Sequence, residues 1–307
     1  MNRVLVIGEA IADFLPLDEV PERFACVLGG SGFNTTMALA RLGLQPRYVT
    51  ALSTDAPGRR FRAALEQEQA DTSGLMPSDK PMPVAIVSPA QASHGAMFAL
   101  HLAGTAHEDA ADWPQALPPG MAHVHAASFA ATVGAAAGAS LALLADGKAR
   151  GTSSYDPNIR AACLPPHHEA VALVEARVAH ATIAKASEDD LGWLYPGLPP
   201  DQALQRWLAL GARIAIVTRG KHGALALTAS SFVEVPGQRV AVVDTVGAGD
   251  TFTAGLLGAM AQESALGMPG IVPDAAQLQR WMTFASKAAA ITCTRPGCDP
   301  PRLGELG

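Results

Sequence analysis

The sequence predicts an α/β fold in which a mainly parallel sheet is covered by helices on both faces. Short apolar runs of strand length alternate with helical segments along most of the chain, the pattern of βαβ units. The 307 residues suffice for one large α/β domain, and no internal repeat or long linker divides them. Hydrophobic residues make up 49% of the chain and charged residues only 16%, so a large core forms without metal or disulfide staples and extended disorder is not expected.

In chain order, Arg3–Ile7 reads as a strand ended by Gly8, and Thr35–Leu42 as a helix stopped at Gly43. Arg47–Leu52 is a second strand and Phe61–Glu68 a second helix. Val84–Val87, Ala122–Ala126, Thr152–Tyr155, Ala181–Ala184 and Ile214–Thr218 read as further short apolar strands. Between them, Gly138–Ala145, His168–Val178 and Ala203–Leu210 are helical. Ala224–Thr228 and Phe232–Val235 suit antiparallel strands at one edge, and the chain closes with helices over Gly249–Gln262 and Ala275–Cys293. Two segments break the rhythm. Phe14–Leu28 and Ala96–Gly104 lack helical periodicity and are expected to form a small projecting sheet.

Composition narrows the function. Lys and Arg number 22 against 28 Asp and Glu, a net charge of −6, which argues against a nucleic-acid partner. Cys26, Cys163, Cys293 and Cys298 form no C-x-x-C pair and read as reduced thiols of a cytoplasmic protein. Glu9 and Asp13 interrupt the first apolar run, so no signal peptide is expected. Ala126–Ala145 is uncharged, but its Ala, Gly, Ser and Thr content reads as strand end, loop and buried helix, not a membrane span. His123 and His125, the pair His167 and His168, and Cys293 with Cys298 lack a third partner at metal spacing and read as structural.

The most informative segment is RVAVVDTVGAGDTFTAGLL, residues 239–257. An apolar run, Val240–Val243, ends at Asp244, and Gly247-Ala248-Gly249-Asp250 leads into an amphipathic helix. The free N–H groups of a first helical turn, with the helix dipole, make an anion site able to hold a phosphoryl group. Asp250 there either takes a proton from an attacking hydroxyl or simply caps the helix. It is not a Walker loop, because His222 follows Gly220-Lys221 and Ala215 occupies the first glycine's place. Phe252 likewise rules out a dinucleotide Gly-x-Gly-x-x-Gly. A second glycine cluster, Gly29-Gly30-Ser31-Gly32-Phe33-Asn34, precedes a helix of small residues. Asn34 suits either a polyol or a helix N-cap.

Together, GGSGFNTTMALARLG and DTVGAGDTFTAGLL resemble the two signatures of the ribokinase-like (PfkB) carbohydrate kinases, and the resemblance covers nearly the whole chain. GEAIADF, AGTA at 103–106, DPNIR at 156–160 and the ending RPGCDPP look most like bacterial fructokinases; 2-keto-3-deoxygluconate kinases share some of them. The resemblance implies a three-layer α/β/α sandwich with a small β-strand lid, built from about 14–28 and 96–104, inserted in a single domain spanning 1–307. It implies transfer of the ATP γ-phosphoryl group to a sugar hydroxyl, fructose first, with 2-keto-3-deoxygluconate or another sugar or nucleoside as the alternative acceptor. Intact Gly247, Gly249 and Asp250 speak against a non-catalytic sensor.

By similarity Asp250 is the base, and the N–H groups of Gly247, Ala248 and Gly249 with Asp250 form the anion hole. Asp13, Asn34, Gly29 and Gly30 match sugar-binding positions, and Arg160 is a candidate partner for phosphate or for a carboxylated sugar. Lys185 and Arg160 would each either neutralise phosphate charge or form a plain surface salt bridge, and the nucleotide would lie across Thr218, Arg219, Gly220 and Gly223. In the family's magnesium-organising Asn-x-x-Glu element, Ser187 replaces Asn and Asp190 replaces Glu, leaving Asp190 to act on Mg2+ through water. Many relatives hold a monovalent cation, K+ being the expected one, and the matching positions are Asp244, Val246, Thr292 and Gly297; Pro301 stands where some supply a hydroxyl. Homodimers through lid strands are common in the family.

Overall fold

On the first strand, β1 (Arg3–Ile7), alternate side chains enter opposite cores: Val4 and Val6 join one buried cluster, Leu5 and Ile7 another. A strand buried on both faces belongs inside a parallel sheet covered by helices. The computed structural model describes residues 3–17, 20–88, 97–109 and 113–307. After β1 come β2 (Ile11–Leu17), β3 (Val20–Gly29), α1 (Ser31–Arg41), β4 (Gln45–Ser53), α2 (Ala56–Gln67) and β5 (Leu75–Ser78). Then follow β6 (Val84–Ser88), β7 (Met97–His101), β8 (His123–Ala127), α3 (Ala137–Arg150), β9 (Thr152–Asp156), α4 (His167–His180) and β10 (Ile183–Ser187). The chain ends with α5 (Glu188–Leu194), α6 (Pro200–Leu210), β11 (Ile214–Thr218), β12 (Ala224–Leu227), β13 (Phe232–Val235), α7 (Ala248–Gln262) and α8 (Ala275–Cys293).

Nine strands form the main sheet in the order β13-β12-β11-β10-β9-β8-β1-β4-β5. Pairings from β11 through to β5 are parallel, while β12 and β13 run antiparallel at the edge. Phe33 and Leu39 of α1, Leu256 of α7 and Trp281 of α8 share the cluster of Val4 and Val6. Leu143 of α3, Val174 of α4 and Trp207 of α6 share that of Leu5 and Ile7. The result is three layers. From β1 the chain winds one way through β4 and β5 and the other way through β8 to β11. The strand order therefore reverses between β1 and β8, where open α/β sheets bind ligands beyond their carboxyl ends.

A second sheet has the order β3-β2-β6-β7. It contains the two segments that broke the βα rhythm, except that residues 18–19 and 96 lie outside the described residues. It also takes β6, a short apolar strand outside those two segments; a short apolar run does not reveal its pairing partner. The main-sheet edge strand β5 and the short helix α5 were not legible in the pattern. β5 carries Pro77, which an edge strand tolerates. The run Val240–Val243 forms no regular structure, and Val242 and Val243 are exposed. Ala126–Ala145 is the end of β8, a loop and the start of α3, and no helix among the described residues is long and apolar enough to cross a membrane.

Candidate active site

A cleft of about 1020 Å³ opens at the switch point. Its floor consists of residues at or just past the carboxyl ends of parallel strands: Glu9 after β1, Ser128 after β8, Asp156 on β9 and Thr218 on β11. The second sheet covers one end. Its register puts Asp13, Leu15, Val27, Ala85 and Leu100 on the face that lines the cleft.

Helix α7 starts here, with Gly247 at its N-cap in the left-handed region, φ +74°. A Cβ there would also collide with the Cys298 sulfur, so only glycine fits. No side chain caps this helix start, and the N–H groups of Gly247, Gly249 and Asp250 meet no protein acceptor among the described residues. They form the anion-binding end expected of this turn. Ala248 departs from expectation, because its N–H already donates to the Thr245 carbonyl at 3.2 Å.

Asp250 is not the cap. It lies inside the first turn of α7, 5% exposed, and its carboxylate is held from another helix. Ser31 Oγ donates to Oδ1 at 2.6 Å and Asn34 Nδ2 donates to Oδ2 at 2.9 Å. Burial pushes the Asp250 carboxyl above its ordinary range; Ser31 and Asn34 pull it back, Asp156 adds to the rise and Lys185 opposes it. Nor is Asn34 a cap, since α1 starts at Ser31 with Gly30 as N-cap. Asn34 Oδ1 is buried and has no partner among the described residues, an acceptor left for a ligand's hydroxyl.

Lys185 and Asp156 face each other from neighbouring strands at 2.5 Å, each 4% exposed. This is a buried ion pair, and it stands at the anion-binding turn: a Cβ on Gly249 would lie 3.6 Å from Lys185 Nζ. Behind it, His123 and His125 are bridged by the Ser154 hydroxyl, with Thr152 on the other nitrogen of His123. Burial pulls both imidazoles down, His125 to about 3 with help from Lys185, so both are neutral parts of the sheet.

Most other predicted positions converge on the cleft. Asp13 lines it with no hydrogen-bond partner among the described residues, and burial pushes its carboxyl up to about 6 against the pull of Arg160. Arg160 is exposed at the rim, bonded only to the Ile159 carbonyl and without an ion-pair partner among the described residues. Gly30 lines the cleft, but Gly29 does not: the space beside its Cα is filled by the Asp13 carboxylate. Thr218, Arg219 and Gly220 line the opposite end, whereas Gly223 serves only to close their turn. The Arg219 guanidinium pairs with Glu234 at 2.6 Å.

The metal candidates fare differently. Asp190 lines the cleft as the far half of a capping box, with Oδ2 on Ser187 and Oδ1 accepting the Ile159 N–H. Glu188 and Asp189 of the same turn line the cleft too and are exposed. Among the described residues no three His, Cys, Asp or Glu side chains come together as a metal cage. An oxygen-only acidic turn suits Mg2+ held through waters and phosphate oxygens. Asp244 accepts the N–H groups of Val246 and Gly297, clasping two loops at the cleft edge. The carbonyls of Thr292 and Gly297 already take N–H groups from Arg295 and Asp299, and Thr292 is buried outside the cleft with its hydroxyl on Thr251.

Sequence reasoning assigned no role to Ser31, Asp156, Ser128 or Glu9. Ser31 sits inside the glycine cluster and Asp156 opens DPNIR, but only the fold brings them to Asp250 and Lys185. Ser128 has φ +67°, which the sequence does not signal. All four cysteines are free.

Comparison with known proteins shows the family and the fold. The family described as pfkB family carbohydrate kinase matches residues 1–303. A fructokinase of Rhizobium leguminosarum bv. trifolii is 33% identical over 86% of this chain and 81% of its own length. The crystal structure of aminoimidazole riboside kinase from Salmonella enterica, complexed with aminoimidazole riboside and an ATP analog, superposes with TM-score 0.82 at 28% identity, covering 99% of this chain and 98% of that one. Fructokinase from Vibrio cholerae O395, in its fructose, ADP and calcium ion bound form, gives TM-score 0.84 at 25% identity, covering 100% and 98%.

Proposed function

The chain belongs to the pfkB family of carbohydrate kinases, phosphotransferases acting on a sugar hydroxyl with ATP as donor, and from that premise we propose that it is a fructokinase making fructose 6-phosphate. The observation that carries the reading is Asp250: a buried carboxylate of raised proton affinity, held by Ser31 and Asn34, at the mouth of an uncapped helix start. Asp250 takes the proton of the acceptor hydroxyl as that oxygen attacks the γ-phosphorus. The bond to the β-phosphate oxygen breaks and ADP leaves. The N–H groups of Gly247 and Gly249 and the Lys185 ammonium stabilise the charge spread over the phosphoryl oxygens. When bound, Mg2+ neutralises phosphate charge, and Glu188, Asp189 and Asp190 are the carboxylates that would hold it through water. A K+ ion beside the Asp244–Gly297 clasp is the matching proposal for the monovalent site.

Asp13 and Asn34 hold the sugar under the second sheet, which acts as a lid excluding water. Asp13 binds hydroxyls as a carboxylate, and it takes a proton as pH falls through about 6. The KM for sugar is therefore expected to rise about tenfold between pH 7 and pH 5, and to be high and flat in Asp13→Asn. Steady-state KM at several pH values checks this. Phe24 and Ile86, exposed on the second sheet, support a homodimer formed there, testable by light scattering. The free thiols fit the cytoplasm.

ADP release across a sugar panel tests the acceptor. Fructose is expected to give the highest kcat/KM. One observation favours a second reading: the unpaired Arg160 at the rim would match the carboxylate of 2-keto-3-deoxygluconate. A higher kcat/KM for that acid, or for aminoimidazole riboside, overturns the fructose assignment.

A further inference from the structure

Both groups that hold Asp250 stand in the first turn of α1. That helix start has no ordinary cap: Gly30 at the N-cap has no side chain, and the first turn holds no acidic residue. Its free N–H groups need acceptors from elsewhere. Glu9 supplies one. From the turn after β1, its Oε1 accepts the Ser31 N–H at 2.9 Å. Gly30 permits this approach, with φ +97° and a backbone so close that a Cβ would lie 2.5 Å from the Glu9 carbonyl oxygen. Ser31 thereby joins two carboxylates, giving its N–H to Glu9 and its O–H to Asp250.

We propose that Glu9 is a positioning residue for Asp250: ionised, it anchors the start of α1 and so aims Ser31 and Asn34 at the base, and on taking up a proton it loosens that grip and lowers turnover. This rests on the reading of Asp250 as the base.

An anion at a helix N-terminus is stabilised by the dipole, and a neutral acid is not. Glu9 is 5% exposed. Burial pushes its carboxyl up to about 7; the Ser31 N–H and the Ser128 hydroxyl pull it down, and the charge of Asp250 pushes it further up. The titratable groups around it are Asp250 of α7, Tyr48 of β4 and Cys163 ahead of α4. Tyr48 and Cys163 are pushed up by burial first and then by the Glu9 charge. An ionised Glu9 also raises the proton affinity of Asp250, so both effects favour turnover at higher pH.

The test is the pH profile of kcat at saturating sugar and ATP, with thermal melts at each pH to monitor folding. Wild-type kcat is expected to fall about fivefold from pH 8 to pH 6, as a group titrating at about 7 gives when its protonated form turns over about tenfold more slowly. Glu9→Gln keeps an acceptor for the Ser31 N–H but stays neutral. It is expected to be about tenfold slower than wild type at pH 8 and flat down to pH 6. Ser31→Ala keeps the N–H contact, so it lowers kcat throughout yet retains the fall. A Glu9→Gln enzyme with wild-type kcat at pH 8, or with the wild-type fall, overturns the proposal. Should that variant not fold, a wild-type kcat with no fall centred near pH 7 overturns it equally. Asp250→Asn separates the two readings: an inactive Asp250→Asn beside a wild-type-like Glu9→Gln removes the Glu9 inference alone, and an active Asp250→Asn removes the base.

Discussion

Asp250→Asn is expected to lower kcat by about 10²–10⁴-fold, the range general-base catalysis supplies, while the protein stays folded. The fold survives because the amide can keep both contacts. Its oxygen accepts from Asn34 Nδ2, and its NH2 donates to Ser31 Oγ, which turns from donor to acceptor. The sign of the stability change follows from the carboxyl's raised proton affinity. A group raised in the folded state stabilises the fold below its unfolded value and loses that contribution as pH rises through the folded value. The Asn variant, which has no charge to bury, should therefore be at least as stable as wild type at pH 8. Steady-state turnover and urea unfolding at pH 8 check both halves. Near-normal turnover would remove Asp250 from the chemistry.

Lys185→Met is expected to cost about 3–5 kcal/mol of stability, since it leaves the Asp156 carboxylate buried without its cation. The pair is too enclosed for water to compensate, unlike the exposed pairs elsewhere on the surface. Adding Asp156→Asn to Lys185→Met removes the stranded charge and should recover most of that loss. If the proposed role of the Lys185 ammonium at the anion-binding turn holds, activity should not recover. Urea unfolding and kcat measured on the single and double variants decide it. Parallel recovery of both would make the pair purely structural.

How far the site was legible depends on distance along the chain. The anion-binding turn is local: Gly247, Gly249 and Asp250 are consecutive or nearly so, and helix geometry alone places their N–H groups. The acid's role is not local. Whether Asp250 caps its own helix or acts as a base turned on Ser31, 219 positions away, and nothing in either segment specifies that contact. Lys185 is similar. Beside Asp156, 29 residues earlier, it is a buried partner of the anion site, whereas in the sequence it is one charge in an apolar strand. Arg219 shows the reverse, because Glu234 on the edge strand claims the guanidinium of a residue that the sequence places only along the nucleotide.

The apolar alternation by itself determined the α/β class with helices on both faces of a mainly parallel sheet, and the later glycine cluster marked the helix start at Gly247, where the N–H groups of Gly247, Gly249 and Asp250 lack partners among the described residues. Those rest on backbone periodicity and on interactions within one helical turn. Only the tertiary structure decided that the second sheet recruits Val84–Ser88, that Asp250 is gripped from α1, and that Glu9 stands in for the missing cap of that helix. Each of these depends on which strand ends meet at the β1/β8 switch point. Burial there alters the charge of a carboxylate as strongly as its chemical type does, and burial is a property of the packed chain rather than of any segment of it.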